Sequence, residues 1–597
     1  MLSGREEDLR WGQRDKMLSL KRALPFLDWF PAKREWLQAD AIAGITVALV
    51  LIPQSMAYAQ LAGLPAYYGL YAAFLPGAIA AMFGSSKQLA TGPVAVVSLL
   101  TASSLMPFAA IGGEQFIALA IAMTLFVGLF QLCLGLFRLG AVVSFLSQPV
   151  ILGFTNAAAI IIGLSQLSKL FGVEMGRSDI FANDIWGVIV QIPDTHIPTL
   201  IFGVVALAIM LGLKKYYPKV PNVLVAVFLT TIASWLIGFE AMGGKVIGEI
   251  PAGLPSVSLP VIDFEIMLEL LPSIVVISLV GFVEAISIAK AMAVKTKDRI
   301  DPNQEFIGQG LSNLVGCVTQ SYPVSGSFSR SAVNLSTGAK TGMSSIFSAL
   351  VVMVTLLFLT PILYHLPQAV LAAVIMMAVL GLLNLRTIVH IWKANWHDSL
   401  AAVVTFVATM AFAPHLDKGI IIGAGLAIFL YLFRAMRPRV STLGRFKDGT
   451  LRDIRIYPKL PTDDSIILIR FDGELFFANV AYFEDMILES VAAKPSAEYI
   501  LVVGSGINEI DASGVEVIHH LVERLRSNGV SMVFSGLNPQ VLNVMHRTEL
   551  FMIIGGDANI FPTEDMALAS IYDRLGDRED RPLLPNTKKT ATEPAAG

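Results

Sequence analysis

Ala90–Leu100, ATGPVAVVSLL, and Ser321–Gly338, SYPVSGSFSRSAVNLSTG, are the two stretches that decide the fold. Each is broken at its start, one by Gly92-Pro93 and the other by Gly326-Ser327. The first continues for about 14 residues, some 21 Å at about 1.5 Å per residue, whereas the hydrocarbon core of a bilayer is roughly 30 Å thick. The second is equally short and more polar. Both predict an extended, strand-like stretch followed by a half-helix with one end inside the membrane. A pair of short, interrupted segments at matching places in two halves of a chain points to a binding site at the midplane.

Working outward, the 597 residues are 55% hydrophobic and 15% charged, where soluble domains carry charge at about a quarter of positions. The chain is therefore a membrane protein. Apolar windows predict spans near 41–60, 69–83, 94–107, 115–136, 142–167, 197–213, 221–238, 268–290, 303–318, 326–338, 343–360, 366–384, 398–413 and 419–435. They divide into seven and seven at the charged, Pro/Gly-bearing stretch 240–263. Because seven is odd, similar halves sit inverted relative to each other. With the N-terminus inside, the inner loops collect roughly fifteen Lys and Arg, and the outer loops take only Lys169, Arg177, Lys245 and Lys418. That asymmetry predicts both termini in the cytoplasm. The opening MLSGREEDLRWGQRDKMLSLKR lacks an apolar core and a cleavage site, so no removable signal is expected.

Several classes are excluded. A net charge of −3 gives no basic field for nucleic acid. Cys133 and Cys317 lie in apolar stretches without metal-ligand spacing, and no phosphate-loop glycine-lysine motif occurs. Neither a cofactor, a metal, an ATP-driven pump nor an enzyme is expected.

A half-helix starting mid-bilayer points unsatisfied N–H groups and the positive end of its dipole into the protein, where an anion is stabilised. Gly92-Pro93 opens one such terminus and Gly326-Ser327 the other. Ser327 and Ser329 add hydroxyl donors, and Arg330 adds a full charge. Glu284, in SLVGFVEAISIAK, is the other ionisable group well inside a span. It either neutralises Arg330 as a structural ion pair or titrates and couples a proton to substrate movement; both readings stay open. Gln54 and Tyr58, four apart in LIPQSMAYAQLAG, share one helical face and either touch a ligand or serve helix packing.

PQSMAYAQLAGLPAYYGLY, TGPVAVVSL, GFVEAISIAKAMA and PVSGSFSRSAVN together resemble the sulfate permease (SulP) family of anion transporters, over essentially the whole chain. The resemblance implies an all-α polytopic membrane domain of about 14 spans in a 7+7 inverted repeat. In it a core domain (spans 1 to 4 and 8 to 11) moves elevator-like against a gate domain (spans 5 to 7 and 12 to 14). Carried over by motif, the anion pocket comprises Gln54, Tyr58, Gly92, Pro93, Val94, Ser327, Phe328, Ser329 and Arg330. Sodium-coupled bicarbonate members carry an Asp and a Thr in span 8. Glu284 instead resembles members thought to couple protons. A homodimer in the lipid bilayer is also implied.

From about 462, short β-rich runs alternate with helical ones, as in a small α/β domain. GINEIDASGVEVIHHL resembles the sulfate transporter and anti-sigma factor antagonist (STAS) domain, which makes Ser513 a candidate regulatory phosphosite; plain N-capping by Asp511 or Ser513 is the alternative. The expected domains are a cytoplasmic segment 1–40, a transport domain 41–438, a STAS-like domain 439–576 and a disordered tail 577–597. The function expected is secondary transport of a small inorganic or carboxylate anion, most favourably sulfate with protons, in the cell membrane. The alternatives are a bicarbonate, chloride or dicarboxylate exchanger, or an uncoupled anion channel.

Overall fold

The computed structural model describes residues 24–31, 33–141, 147–176, 178, 180–217, 220–576 and 580–585. Most of the N-terminal segment, the basic residues Arg177 and Lys219, the start of the fifth predicted span and the tail from 586 lie outside the described residues. Contacts divide the chain into two units, Met1–Ala427 and Ile428–Gly597.

Each predicted span has a helix, all of them within the first unit except the last, which runs past Ala427 into the second. These are α1 (Arg34–Leu61), α2 (Tyr67–Phe83), α3 (Ala95–Leu105), α4 (Glu114–Leu136), α5 (Gln148–Ser165), α6 (Ile197–Tyr216) and α7 (Asn222–Ile237). There follow α8 (Leu271–Thr296), α9 (Pro302–Val318), α10 (Phe328–Ser336), α11 (Met343–Val354), α12 (Gln368–Leu380), α13 (Trp396–Ala411) and α14 (Leu416–Met436). Seven helices among the described residues are long and apolar enough to cross a membrane unaided. The rest are shorter and lean on their neighbours. Strands β1 (Ala90–Gly92) and β2 (Ser325–Ser327) precede α3 and α10 and pair antiparallel, Ala90 opposite Ser327 and Gly92 opposite Ser325. Within hydrocarbon an isolated strand would strand its N–H and C=O groups, so each broken segment completes the other.

The helices that frame this pair pack closely because small residues face each other. At the α4–α9 crossing a Cβ on Gly128 would stand 2.8 Å from Leu314 N, and one on Gly310 would stand 2.9 Å from Gly128 O. Only glycines allow that approach of backbones. At one end of α1, Asp40 accepts hydrogen bonds from Lys340 N (2.6 Å), Thr341 N (3.1 Å) and Thr341 Oγ1 (2.6 Å), fixing the turn after α10.

Short helices not expected from the sequence include Leu167–Phe171, Phe181–Val190, Phe264–Glu269 and Leu385–Ala394. In the last, Val389 and Trp392 are exposed and none of the residues whose burial is described is buried, the pattern of a helix lying along an interface rather than crossing it.

In the second unit β3 (Arg439–Arg445), β4 (Leu451–Asp453), β5 (Ile466–Asp472), β6 (Tyr499–Val503), β7 (Ser531–Ser535) and β8 (Ile560–Phe561) form one sheet, ordered β4-β3-β5-β6-β7-β8. The last four are mutually parallel, and β3 runs antiparallel to both its neighbours. Both faces of a parallel sheet need cover. Ile467, Ile469 and Phe471 pack with α15 (Val480–Ala492), α16 (Ala512–Ser527) and α17 (Pro539–Arg547), while Ile466 and Leu468 pack with α18 (Glu564–Arg574). The expectation of a disordered tail from 577 needs correction over Asp580–Pro585. Leu583 is fully buried on the α18 face, its N–H donates to the Tyr572 hydroxyl (3.3 Å), and its carbonyl accepts from Arg445 Nε (2.7 Å). Two adjacent leucines in a polar, proline-bearing tail supply apolar area that the composition of the whole tail conceals. Burial and the Asp463 carboxylate push the Tyr572 phenol above its usual pKa, so it stays a donor to Asp463 Oδ2 at 2.8 Å.

Candidate functional site

The paired strands are held from several sides by polar groups inside the apolar helices. Ala90 N donates to Ser331 Oγ (2.9 Å), Asn334 Nδ2 to Gln88 O (3.1 Å), Gln309 Nε2 to Thr91 Oγ1 (2.9 Å) and Ser325 Oγ to Gly281 O (2.5 Å). Asn313 accepts from Val324 N (2.9 Å) and donates to Gln131 Oε1 (3.0 Å). In low dielectric such bonds are expensive to break, and they pin both half-helices in place.

Directly after the strands, Val94 is the N-cap of α3 and Ser327 that of α10. Both cap residues are extended, and neither end receives a side-chain cap. Two helix N-termini are thus left with donors to spare at one place. Arg330, in the first turn of α10, is fully buried. Its Nη1 donates to Pro93 O at 2.8 Å, so a side chain of the second half-helix is fastened to the backbone at the entry of the first. Gly92 makes room: a Cβ there would stand 3.2 Å from Arg330 Nη2. The remaining Arg330 nitrogens, Nε and Nη2, have no partner. Buried cationic donors left open are costly. A compact anion is the group that would satisfy them together with the helix termini.

Around this cation lie the other residues singled out from the sequence. Gln54 and Tyr58 are buried on α1, Gln54 with an unpartnered Oε1, and Tyr58 within electrostatic range of Arg330. Ser327 is buried and its Oγ is 3.4 Å from Ser329 Oγ, whereas Phe328 and Ser329 are exposed. Gly92, Pro93 and Val94 are buried. Glu284 on α8 senses the Arg330 charge, but no ion pair within 4.0 Å joins the two. Its Oε2 is unpartnered. A contact ion pair, one of the two readings left open above, is therefore absent.

Sequence reasoning missed Tyr322, fully buried, whose hydroxyl accepts from Ser98 Oγ at 3.3 Å and which also lies within electrostatic range of Arg330. It also missed Gln309 and Asn313. Their spacing of four inside the apolar α9 was a legible signal of one polar face turned inward. In the second unit Asp511 Oδ1 accepts from Gly514 N (2.8 Å) and caps α16; the Ser513 hydroxyl beside it makes no cap and is half-exposed. No group of three metal-ligating side chains occurs among the described residues.

Two broken helices meeting inside a bundle, with a sheet domain appended, define a multi-pass membrane transport protein. Residues 37–405 match the Sulfate permease family and residues 457–567 the STAS domain. The chain belongs to the sulfate permease family, which is made up of transporters rather than enzymes. It is 34% identical over 553 residues to "Sulfate transporter 4.1, chloroplastic" of Arabidopsis thaliana, covering 89% of this chain and 80% of that one. To "High affinity sulfate transporter 2" of Stylosanthes hamata it is 32% identical over 587 residues, covering 94% and 88%. In fold it resembles the murine Solute Carrier 26 family member A9 anion transporter in its inward-facing state, at TM-score 0.86 and 23% identity over 92% of this chain and 94% of that chain. The transmembrane domain of the cyanobacterial bicarbonate transporter BicA aligns at TM-score 0.55 and 23% identity, covering 66% of this chain and 98% of that one.

Proposed function

We propose that this protein is a secondary transporter of small oxyanions, sulfate foremost, driven by protons and working by an elevator-like movement of core against gate. One observation carries the reading. Arg330 is wholly buried between two uncapped half-helix N-termini with Nε and Nη2 unpartnered, a cradle of donors and positive charge that asks for an anion. The pocket residues are Gln54, Tyr58, Gly92, Pro93, Val94, Ser327, Phe328, Ser329 and Arg330. Sulfate is favoured by the names of the relatives at 34% and 32% identity. A divalent anion beside an ionised Glu284 is electrostatically unfavourable, so protonation of Glu284 accompanies loading. The protein works as a homodimer in the cell membrane with both termini in the cytoplasm, and Ser513 is a candidate regulatory phosphosite of the appended domain.

The test is uptake into proteoliposomes across labelled sulfate, bicarbonate, chloride and dicarboxylates, with and without a pH gradient. Concentrative sulfate uptake that collapses with a protonophore is expected. Flux that only follows the anion's own gradient would make the protein a channel, and preference for another anion would remove sulfate.

A further inference from the structure

Away from the pocket, a cavity of about 840 Å³ lies at the far end of α3, lined there by Leu99, Ala102, Ser103 and Met106. Gln60 and Leu61 at the end of α1 line it too, as do Ser165 and the short helix Leu167–Phe171. Neither Arg330 nor Gln54, Tyr58, Val94 or Ser327 lines it, so in this structure it is separate from the cradle.

The charges facing this cavity are unequally matched. Lys245 lies 3.9 Å from Glu174, Asp184 Oδ1 accepts from Ser178 N at 2.8 Å, and His196 has both ring nitrogens engaged, with Thr199 Oγ1 (2.6 Å) and Met242 O (3.0 Å). Lys169 is different. Among the described residues its half-buried ammonium has no carboxylate within 4.0 Å and a single hydrogen bond, to Gln60 Oε1, which is long at 3.4 Å. A half-buried ammonium with spare donor capacity attracts an anion more strongly than a solvated surface lysine would, because low-dielectric walls concentrate its field.

We infer that the cavity at Lys169 is a second anion station, where an oxyanion is held by the Lys169 ammonium before it reaches the half-helix cradle. The inference rests on the anion-transport reading above. By the charge asymmetry of the loops, the station faces the outside. It raises the local anion concentration at the entrance and acts on loading, while the cradle sets the turnover.

The experiment uses the full chain in proteoliposomes, with labelled sulfate presented from either side. Lys169→Met should raise KM for entry from the cavity side about tenfold, the size of one charge-assisted contact, leave kcat within about twofold, and leave KM from the opposite side unchanged. Lys169→Arg should restore KM, and a shallower dependence of kcat/KM on ionic strength should accompany the loss of charge. Gln60→Glu, which keeps Lys169 but pairs it, should reproduce the Lys169→Met phenotype and guards against a folding artefact. Unchanged KM in an active Lys169→Met protein, or a rise equal from both sides, overturns the station alone. Wild-type protein that moves no anion overturns the transport reading and the station with it.

Discussion

Two buried arginines, Arg330 in the membrane unit and Arg445 in the sheet domain, carry the same side chain into opposite situations. Arg445 is 7% exposed and fully engaged: Nε donates to Leu583 O (2.7 Å), Nη1 to Gly449 O (2.5 Å) and Nη2 to Asp565 Oδ1 (2.5 Å). Arg330 is 0% exposed and uses one nitrogen only, Nη1 on Pro93 O. A guanidinium with all three nitrogens bonded is a fastener, because each of them is already committed to the fold. An unsatisfied one in a drier place is a receptor waiting for its acceptor.

The largest effect should come from breaking the fastener. Arg445→Ala leaves the Leu583 and Gly449 carbonyls without their donor and releases the docked segment. It should destabilise the sheet domain, which has its own core on each face of the sheet, by about 2 to 4 kcal/mol. A lower urea midpoint for residues 440–597 expressed alone, with KM for anion uptake unchanged in the full chain, is the expected pair of results. An unchanged midpoint would mean the three bonds are incidental.

Next in size, Arg330→Ala should weaken anion binding by about 1 to 3 kcal/mol, the range of a charge-assisted hydrogen bond, and leave thermal stability unchanged or raised, since an under-satisfied buried charge has been removed. Equilibrium binding of labelled sulfate to purified protein, with a melting curve beside it, reads both. A folded variant with wild-type affinity would take Arg330 out of the pocket. One that melts early would make it a fastener like Arg445.

These contrasts bear on how far the sequence could be read. The membrane helices were legible because hydropathy alone marks them, and the half-helix pair because Gly92-Pro93 and Gly326-Ser327 interrupt apolar runs at matching places. Arg330 announced itself as a charge where charge is expensive. Its partner did not: Pro93 O is a backbone atom, and the nearest carboxylate by eye, Glu284, makes no ion pair with it. The supports on α9 were hidden in the same way, since Gln309 and Asn313 look dispensable until Thr91, Val324 and Gln131 are seen to need them. Leu583 was hidden by its neighbours, and the Leu385–Ala394 helix by being amphipathic rather than apolar.

Glu284 gives a third test, smaller because it leaves the cradle itself intact. Glu284→Gln imitates the protonated acid. Accumulation driven by an inward pH gradient, at most about tenfold per pH unit for one proton per anion, should vanish, while exchange of anion for anion at equal pH persists. If the variant still concentrates sulfate in response to a pH gradient, the coupling proton rides on another group.

The smallest effect expected asks whether Arg330 is aimed or merely present. Its guanidinium lies against Gly92, where a methyl group would stand 3.2 Å from Nη2, 3.6 Å from Leu51 Cδ1 and 3.9 Å from Arg330 Cζ. Contacts at 3.2 Å are tighter than ordinary van der Waals packing, so one partner must move by a few tenths of an ångström. Leu51 is buried and α1 is packed around it, which leaves the guanidinium as the group that yields. Nη1 would then lose alignment with Pro93 O, and Nη2 would shift with it. Charge is retained, so the loss should be well below that of Arg330→Ala: about 0.5 to 1 kcal/mol, a two- to fivefold rise in Kd. Gly92→Ala with wild-type affinity would show that position matters little and that Arg330 acts through its field alone; a loss as large as that of Arg330→Ala would show that its aim, fixed by Pro93 and Gly92, is the whole of its contribution.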